Sequence, residues 1–195
     1  MLELLDSIQD IGWIMWVRDA NTVLGYATVL AFHTFGMILV VGISTAIALR
    51  TLGVASDVPI APLRKYVPLM WIGFFVNLGT GLVLFFQDGR KFATSYDYWI
   101  KMFAVVGAVT TTQMLLTYLR DPAVADMRPV PSKGRTLAGA VLFCWSVAVT
   151  AGRLSAYDPF IQTQSAVAVV IVMIVLVLAL KYLMPRLFAV DNSAQ

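Results

Sequence analysis

Five stretches of this chain, at about 22–49, 67–86, 98–119, 136–152 and 165–180, are almost wholly apolar and contain no Asp or Glu. A bilayer core is about 30 Å thick and takes roughly 20 apolar residues of helix. In lipid the backbone must satisfy its own hydrogen bonds, so runs of this kind span as helices. Breakers fall between them. Gly53, Pro59 and Pro62 follow the first stretch, Asp88-Gly89 the second, and Asp121-Pro122, Pro129 and Pro131 the third; Asp158-Pro159 follows the fourth and Pro185 closes the fifth. The expected fold is an all-α integral membrane protein of five transmembrane helices, a four-helix core plus one peripheral helix. The fifth stretch, rich in Val, Ile and Leu, is the expected peripheral helix.

Composition supports the class. Of 195 residues, 59% are hydrophobic and only 13% charged, against roughly 45–50% and 25% in soluble domains. So few polar side chains cannot coat a water-soluble globule, which argues against a soluble enzyme, a disordered chain or a disulfide scaffold. One cysteine, Cys144, excludes an internal disulfide and any two-thiolate metal site within one chain. One histidine, His33, excludes a bis-histidine haem within one chain. The net charge of +3 reads as topology and headgroup signals, with no nucleic acid implied.

Three segments are expected: residues 1–20, a single transmembrane domain over 21–190, and a polar tail at 191–195. The first lacks the basic start and cleavage site of a signal peptide. Its Ile11, Trp13, Ile14, Trp16 and Val17 read as an interfacial amphipathic helix with both tryptophans at headgroup level. Nine Lys and Arg fall on one side of the spans (Arg50, Arg64, Lys65, Arg120, Arg128, Lys133, Arg135, Lys181, Arg186) and five on the other (Arg18, Arg90, Lys91, Lys101, Arg153). The excess predicts the amino terminus outside and the carboxyl terminus in the cytoplasm.

The chemistry-bearing residues inside the spans are few. His33 stands near the middle of the first stretch, about 18 Å below its outer end at 1.5 Å per residue. A titratable group at depth faces the bundle interior and finds a partner. It reads either as a neutral histidine bonded to a neighbouring helix, as a haem or metal ligand, or as a proton-handling group. Asn77 is placed to orient it. Met37 shares its helix face at i+4, Gly36 at i+3 removes bulk there, and His33, Met37 and Cys144 together suit Cu(I). Lys101, about one turn inside the third stretch, and Arg153, at the outer end of the fourth, lie above His33. They suit either haem propionates or snorkelling to the interface. The small and polar residues of the first four stretches, among them Gly36, Gly42, Ser44, Gly73, Gly79 and Gly81, mark helix contacts. The spans hold no catalytic triad, phosphate loop or carboxylate pair.

The stretches LAFHTFGMILVVG (30–42), DYWIKM (97–102) and AGRLSAY (151–157) resemble a bacterial integral-membrane domain family of unknown function. In layout that family is similar to the copper-resistance protein D membrane domain and the J-type protoporphyrinogen oxidases. The resemblance covers roughly residues 21–157. It implies a four-helix core with one extra helix in the bacterial inner membrane. From the oxidases it implies His33 and Lys101 as residues of haem binding and activity. From the copper-resistance proteins it implies copper handling, against which stands the absence of further histidines. The expected function is a haem b-binding subunit for electron transfer or for tetrapyrrole- or quinone-linked redox chemistry. His33 is its axial ligand, Lys101 and Arg153 are the propionate partners, and Asn77 is the orienter. The alternatives are an assembly subunit of a larger membrane complex or homo-oligomer, with no cofactor, and a copper or small-molecule permease.

Overall fold

The structure is a computed structural model that describes residues 7–19, 24–125, 127 and 129–154, with positions 164, 167, 170, 171, 174 and 175. Every regular element among them is helical. A short helix, α1 (Gly12–Asp19), precedes α2 (Tyr26–Leu52), α3 (Ile60–Arg64), α4 (Val67–Gln87), α5 (Gly89–Thr94), α6 (Tyr96–Tyr118), α7 (Pro122–Ala125) and α8 (Ser132–Leu154). Among the described residues four helices are long and apolar enough to cross a membrane: α2, α4 with the α3 turn before it, α6 and α8. The chain therefore has the make-up of a multi-pass membrane protein. Of the expected fifth span, 165–180, only positions 167, 170, 171, 174 and 175 are among the described residues, and the tail at 191–195 lies outside them.

The boundaries follow local chemistry. Gly53 ends α2 in the left-handed conformation (φ 103°), donating its N–H to the Arg50 carbonyl, while Val54 N–H reaches Leu49. Only glycine adopts that φ without strain. Pro68 sits in the first turn of α4, where its missing N–H costs nothing. The span α6 opens at Tyr96, two residues earlier than the apolar pattern suggests, and so takes in Asp97. Likewise α8 runs from Ser132 to Leu154 rather than from 136 to 152, because Lys133 and Arg135 in its first turn point outward to the surface.

The long helices alternate in direction and pack as two hairpins, α2 with α4 and α6 with α8, joined through an α2–α8 contact. No comparable packing joins α4 to α6. The bundle is a four-helix layer with an open seam between its two outer members. Its core lies in the half of the bundle near the end of α2. Val40, Ile47, Met70, Leu115, Val141 and Trp145 are buried there. On the outer surfaces Phe35, Ile38, Ile72, Phe75, Phe103 and Phe143 are all more than half exposed. So much exposed apolar surface marks contact with lipid rather than water.

Against the other end of the bundle α1 packs on α2 and α4, burying Ile14 and Val17 and leaving Trp13 and Trp16 53% exposed. The Arg18–Asp19 ion pair at its end (2.9 Å) is solvent-exposed and adds little to stability.

The two hairpins close in different ways. Gly36 and Gly73 meet at the α2–α4 crossing. A Cβ on Gly36 would stand 2.7 Å from both the Asn77 nitrogen and the Gly73 carbonyl oxygen, and one on Gly73 would stand 2.5 Å from Leu39 Cβ. This is backbone-to-backbone packing by small residues. On the α6–α8 side, Gly107 faces the Cys144 sulfur and Gly134 faces the Tyr118 ring. Gly42 and Gly79 face open space, and Ser44 and Thr111 spend their hydroxyls on carbonyls one turn back in their own helices. Those four residues do not hold helices together in the way their chemistry suggests.

Candidate functional site

Since α2 begins at Tyr26, His33 lies seven residues into it, roughly 10 Å from that end at 1.5 Å per residue. That is a correction to the mid-span depth expected from the sequence. His33 belongs to the third of the bundle nearest the start of α2, on the open side of the apolar core.

Its imidazole is held by α4. His33 Nδ1 stands 3.0 Å from the Asn77 carbonyl oxygen and 3.2 Å from Thr80 Oγ1. A carbonyl only accepts, so the hydrogen sits on Nδ1 and, in the neutral ring, the lone pair sits on Nε2. The Thr80 hydroxyl donates to the Val76 carbonyl at 2.6 Å, which leaves its oxygen as a second acceptor for the same N–H. His33 Nε2 has no hydrogen-bond partner among the described residues. Asn77 does orient His33, but through its backbone carbonyl. Its side-chain Nδ2 donates instead to the His33 carbonyl at 2.7 Å. The 3.4 Å approach of Nδ2 to Nδ1 sets two N–H groups side by side and is not a bond. The pair is a reciprocal clasp between α2 and α4.

Because the backbone makes the ring contact, Asn77→Leu is expected to keep the His33 tautomer and lose only the amide bond. Interhelical hydrogen bonds in membranes average about 0.6 kcal/mol and reach about 1.7. Denaturant titration of the purified variant checks for a loss within that range.

Gly81 makes room for the ring: a Cβ there would stand 3.1 Å from His33 Cε1. Beyond it two cavities share His33 and Lys101. One, of about 370 Å³, lies at the end of the bundle where α2 begins and reaches Arg153 and Lys91. The other, of about 80 Å³, continues inward along the α4–α6 seam past Phe74, Leu78 and Val105. The larger volume falls in the range of small-molecule sites. Lys101 reaches the cleft from α6 by lying across Gly152 of α8, where a Cβ would come within 3.3 Å of its Cδ and Cε. Arg153 is exposed at the rim, and the carboxylate of Asp88 stands among these cations. One wall is aromatic. Phe85 stacks on Tyr98 (5.2 Å between centroids, 27°), and Phe92 leans on both.

Three of the four residues expected at the site, His33, Lys101 and Arg153, thus line one cleft, and the fourth, Asn77, holds the His33 ring from α4 and lines the smaller cavity. Pattern reading missed Gln87 and the aromatic wall, and it marked Gly81 only as a helix contact, whereas Gly81 faces the His33 ring and lines both cavities. Gln87 is 7% exposed, lines the cleft, and its Nε2 has no hydrogen-bond partner among the described residues. Such an orphaned donor is unusual in a folded interior. The copper set is not gathered here: Cys144 packs against Gly107 on the α6–α8 seam, and neither it nor Met37 lines the cavities that His33 lines. The described residues contain no cluster of three His, Cys, Asp or Glu. Trp145 Nε1 and Thr112 Oγ1 are buried without partners, away from the cleft.

No protein-family model matches the chain, and no curated protein or solved structure is significantly similar to it. The likeness to the families named above rests on their short motifs alone.

Proposed function

We propose that this chain is an integral membrane subunit that holds haem b on His33 and serves electron transfer or quinone- or tetrapyrrole-linked redox chemistry. The observation that carries this reading is the His33 ring: its Nδ1–H is tied to the Asn77 carbonyl, which leaves the Nε2 lone pair free to ligate beside a cleft shared with Lys101. A ligating imidazole needs such a second partner to fix its tautomer. The rest of the cleft suits a flat, apolar, anionic group. Phe85, Phe92 and Tyr98 offer ring faces, Lys101 and Arg153 offer cations for carboxylates, and Gln87 offers an unspent N–H. A bound haem supplies one-electron chemistry. His33 ligates it, Lys101 and Arg153 balance its charge, and Asn77 and Thr80 hold the ring still.

In this reading five helices span the bacterial inner membrane, α1 lies at the outer interface, and the Lys- and Arg-rich end of the bundle faces the cytoplasm.

The test is an optical spectrum of the mildly solubilised protein, air-oxidised and then dithionite-reduced, with haem supplied during expression. A Soret band that shifts on reduction in the wild type and is absent in His33→Ala is the expected result. A featureless spectrum from folded wild-type protein ends the proposal. It would favour the second reading, an assembly subunit without cofactor, for which the reciprocal His33–Asn77 clasp is motive enough: each residue has a structural partner already. Stoichiometric co-purifying subunits from native membranes are that reading's signature.

A further inference from the structure

The seam between α4 and α6 has a second feature at its opposite end, independent of His33. A cavity of about 450 Å³ lies where α3 and α4 face α6. Arg64, Lys65 and Arg120 converge on it, and its lining contains no carboxylate. Arg64 spends one N–H on the Leu119 carbonyl, 3.1 Å away, which holds its guanidinium between the two hairpins. The nearest acidic neighbour in sequence, Asp121, is turned to the Ala123 N–H at 2.9 Å. Apart from the amide of Gln113, the remaining lining is apolar, with Val67, Trp71 and Leu116 among it. Further along the α4–α6 seam, Phe74, Leu78 and Val105 line the nearer part of the smaller cavity, whose far part holds His33 and Lys101.

Topology alone accounts for cations at this end of the bundle. It does not account for three of them meeting at one hole whose floor is tryptophan and leucine. That pairing matches an amphipath with an anionic head and an apolar tail. A free phosphate has no use for the apolar floor, and a neutral lipid has none for the cations. We infer that this pocket is a binding site for an anionic phospholipid, with its phosphodiester on Arg64, Lys65 and Arg120 and an acyl chain in the α4–α6 seam. Basic pockets between transmembrane helices are a recurrent setting for such headgroups.

The experiment uses the full chain in mild detergent, with phosphatidylglycerol, phosphatidylcholine or sodium phosphate added. Unfolding temperature and native mass spectrometry are the readouts. Phosphatidylglycerol is expected to raise the unfolding temperature and to stay bound as a discrete adduct, while the other two do neither. Each cation near an anionic headgroup is worth about fivefold in binding. The double variant Lys65→Gln/Arg120→Gln leaves the Arg64–Leu119 bond intact and is expected to weaken the lipid about 25-fold on the same scale. Arg64→Gln added to it should weaken the lipid further, and if that triple variant fails to fold, the double variant still decides. Lys133→Gln/Arg135→Gln, at the same end but outside the pocket, should leave binding unchanged. Equal protection by phosphatidylcholine overturns the inference, as does full binding by the double variant or an equal loss in the control pair. Protection by sodium phosphate alone overturns the lipid assignment in favour of a soluble phosphate-bearing ligand.

Discussion

Gly36→Ala and Gly73→Ala are each expected to take the α2–α4 hairpin apart. The added methyl meets atoms that cannot swing away: at Gly36 it would stand 2.7 Å from the Gly73 carbonyl oxygen, and at Gly73 2.5 Å from Leu39 Cβ, which is fixed by its own backbone, and 2.9 Å from the Gly36 carbonyl oxygen. Relief requires the two helix axes to separate, and separation breaks the clasp one turn away, where Asn77 bonds His33 in both directions. Overpacking of well-packed sites costs about 1–3 kcal/mol, and a clash of two backbones belongs at or above the top of that range. The expected readout is a loss of about 3 kcal/mol or more in denaturant unfolding from detergent, with poor recovery of monodisperse protein. Gly42→Ala and Gly79→Ala lie on the same two helices and meet nothing within 4 Å. They should be neutral or stabilising by up to about 1 kcal/mol, the ordinary gain of replacing a helical glycine. If all four variants behave alike, the crossing is not where the structure puts it.

If His33 carries haem as proposed, Gly81→Leu is expected to abolish haem binding as completely as His33→Ala does, while leaving the helices intact. Gly81 looks directly at the imidazole, 3.1 Å from Cε1 and 3.5 Å from Nδ1 at the position of a Cβ, and lines both cavities next to it. A leucine there fills the space in front of the ring. The reduced-minus-oxidised spectrum should fall below detection, with helicity by circular dichroism unchanged. Thr80→Val is the contrast. It removes one of the two acceptors at Nδ1 but keeps the carbonyl, so it should retain most of the signal. Haem content unaffected by Gly81→Leu would mean that the cleft is not the cofactor site, whatever His33→Ala shows.

These contrasts mark how far residue types carry the reading. Span positions were legible because a bilayer imposes a length and an apolar content, and four described helices meet both. The convergence of His33, Lys101 and Arg153 was legible because alternating helices bring the start of α2, the start of α6 and the end of α8 to one end. What the pattern does not encode is rotation about each helix axis. Gly36 and Gly42 are equally small, yet one is at a crossing and the other faces open space, and only the partner's shape distinguishes them. Asn77 was identifiable as a neighbour of His33, but that its carbonyl rather than its amide meets Nδ1 depends on backbone approach allowed by two glycines. Gln87 sits at the end of α4, where glutamine is unremarked in sequence; its burial without a partner appears only in three dimensions.

The unpacked edge between α4 and α6 also bears on how ligands should be counted. An apolar molecule that arrives by that edge comes from the bilayer, where it is dissolved two-dimensionally and far above its concentration in water. Its occupancy then follows its mole fraction among the lipids. Adding detergent or empty vesicles at constant protein would dilute it, and an affinity quoted per litre of buffer would drift with every preparation.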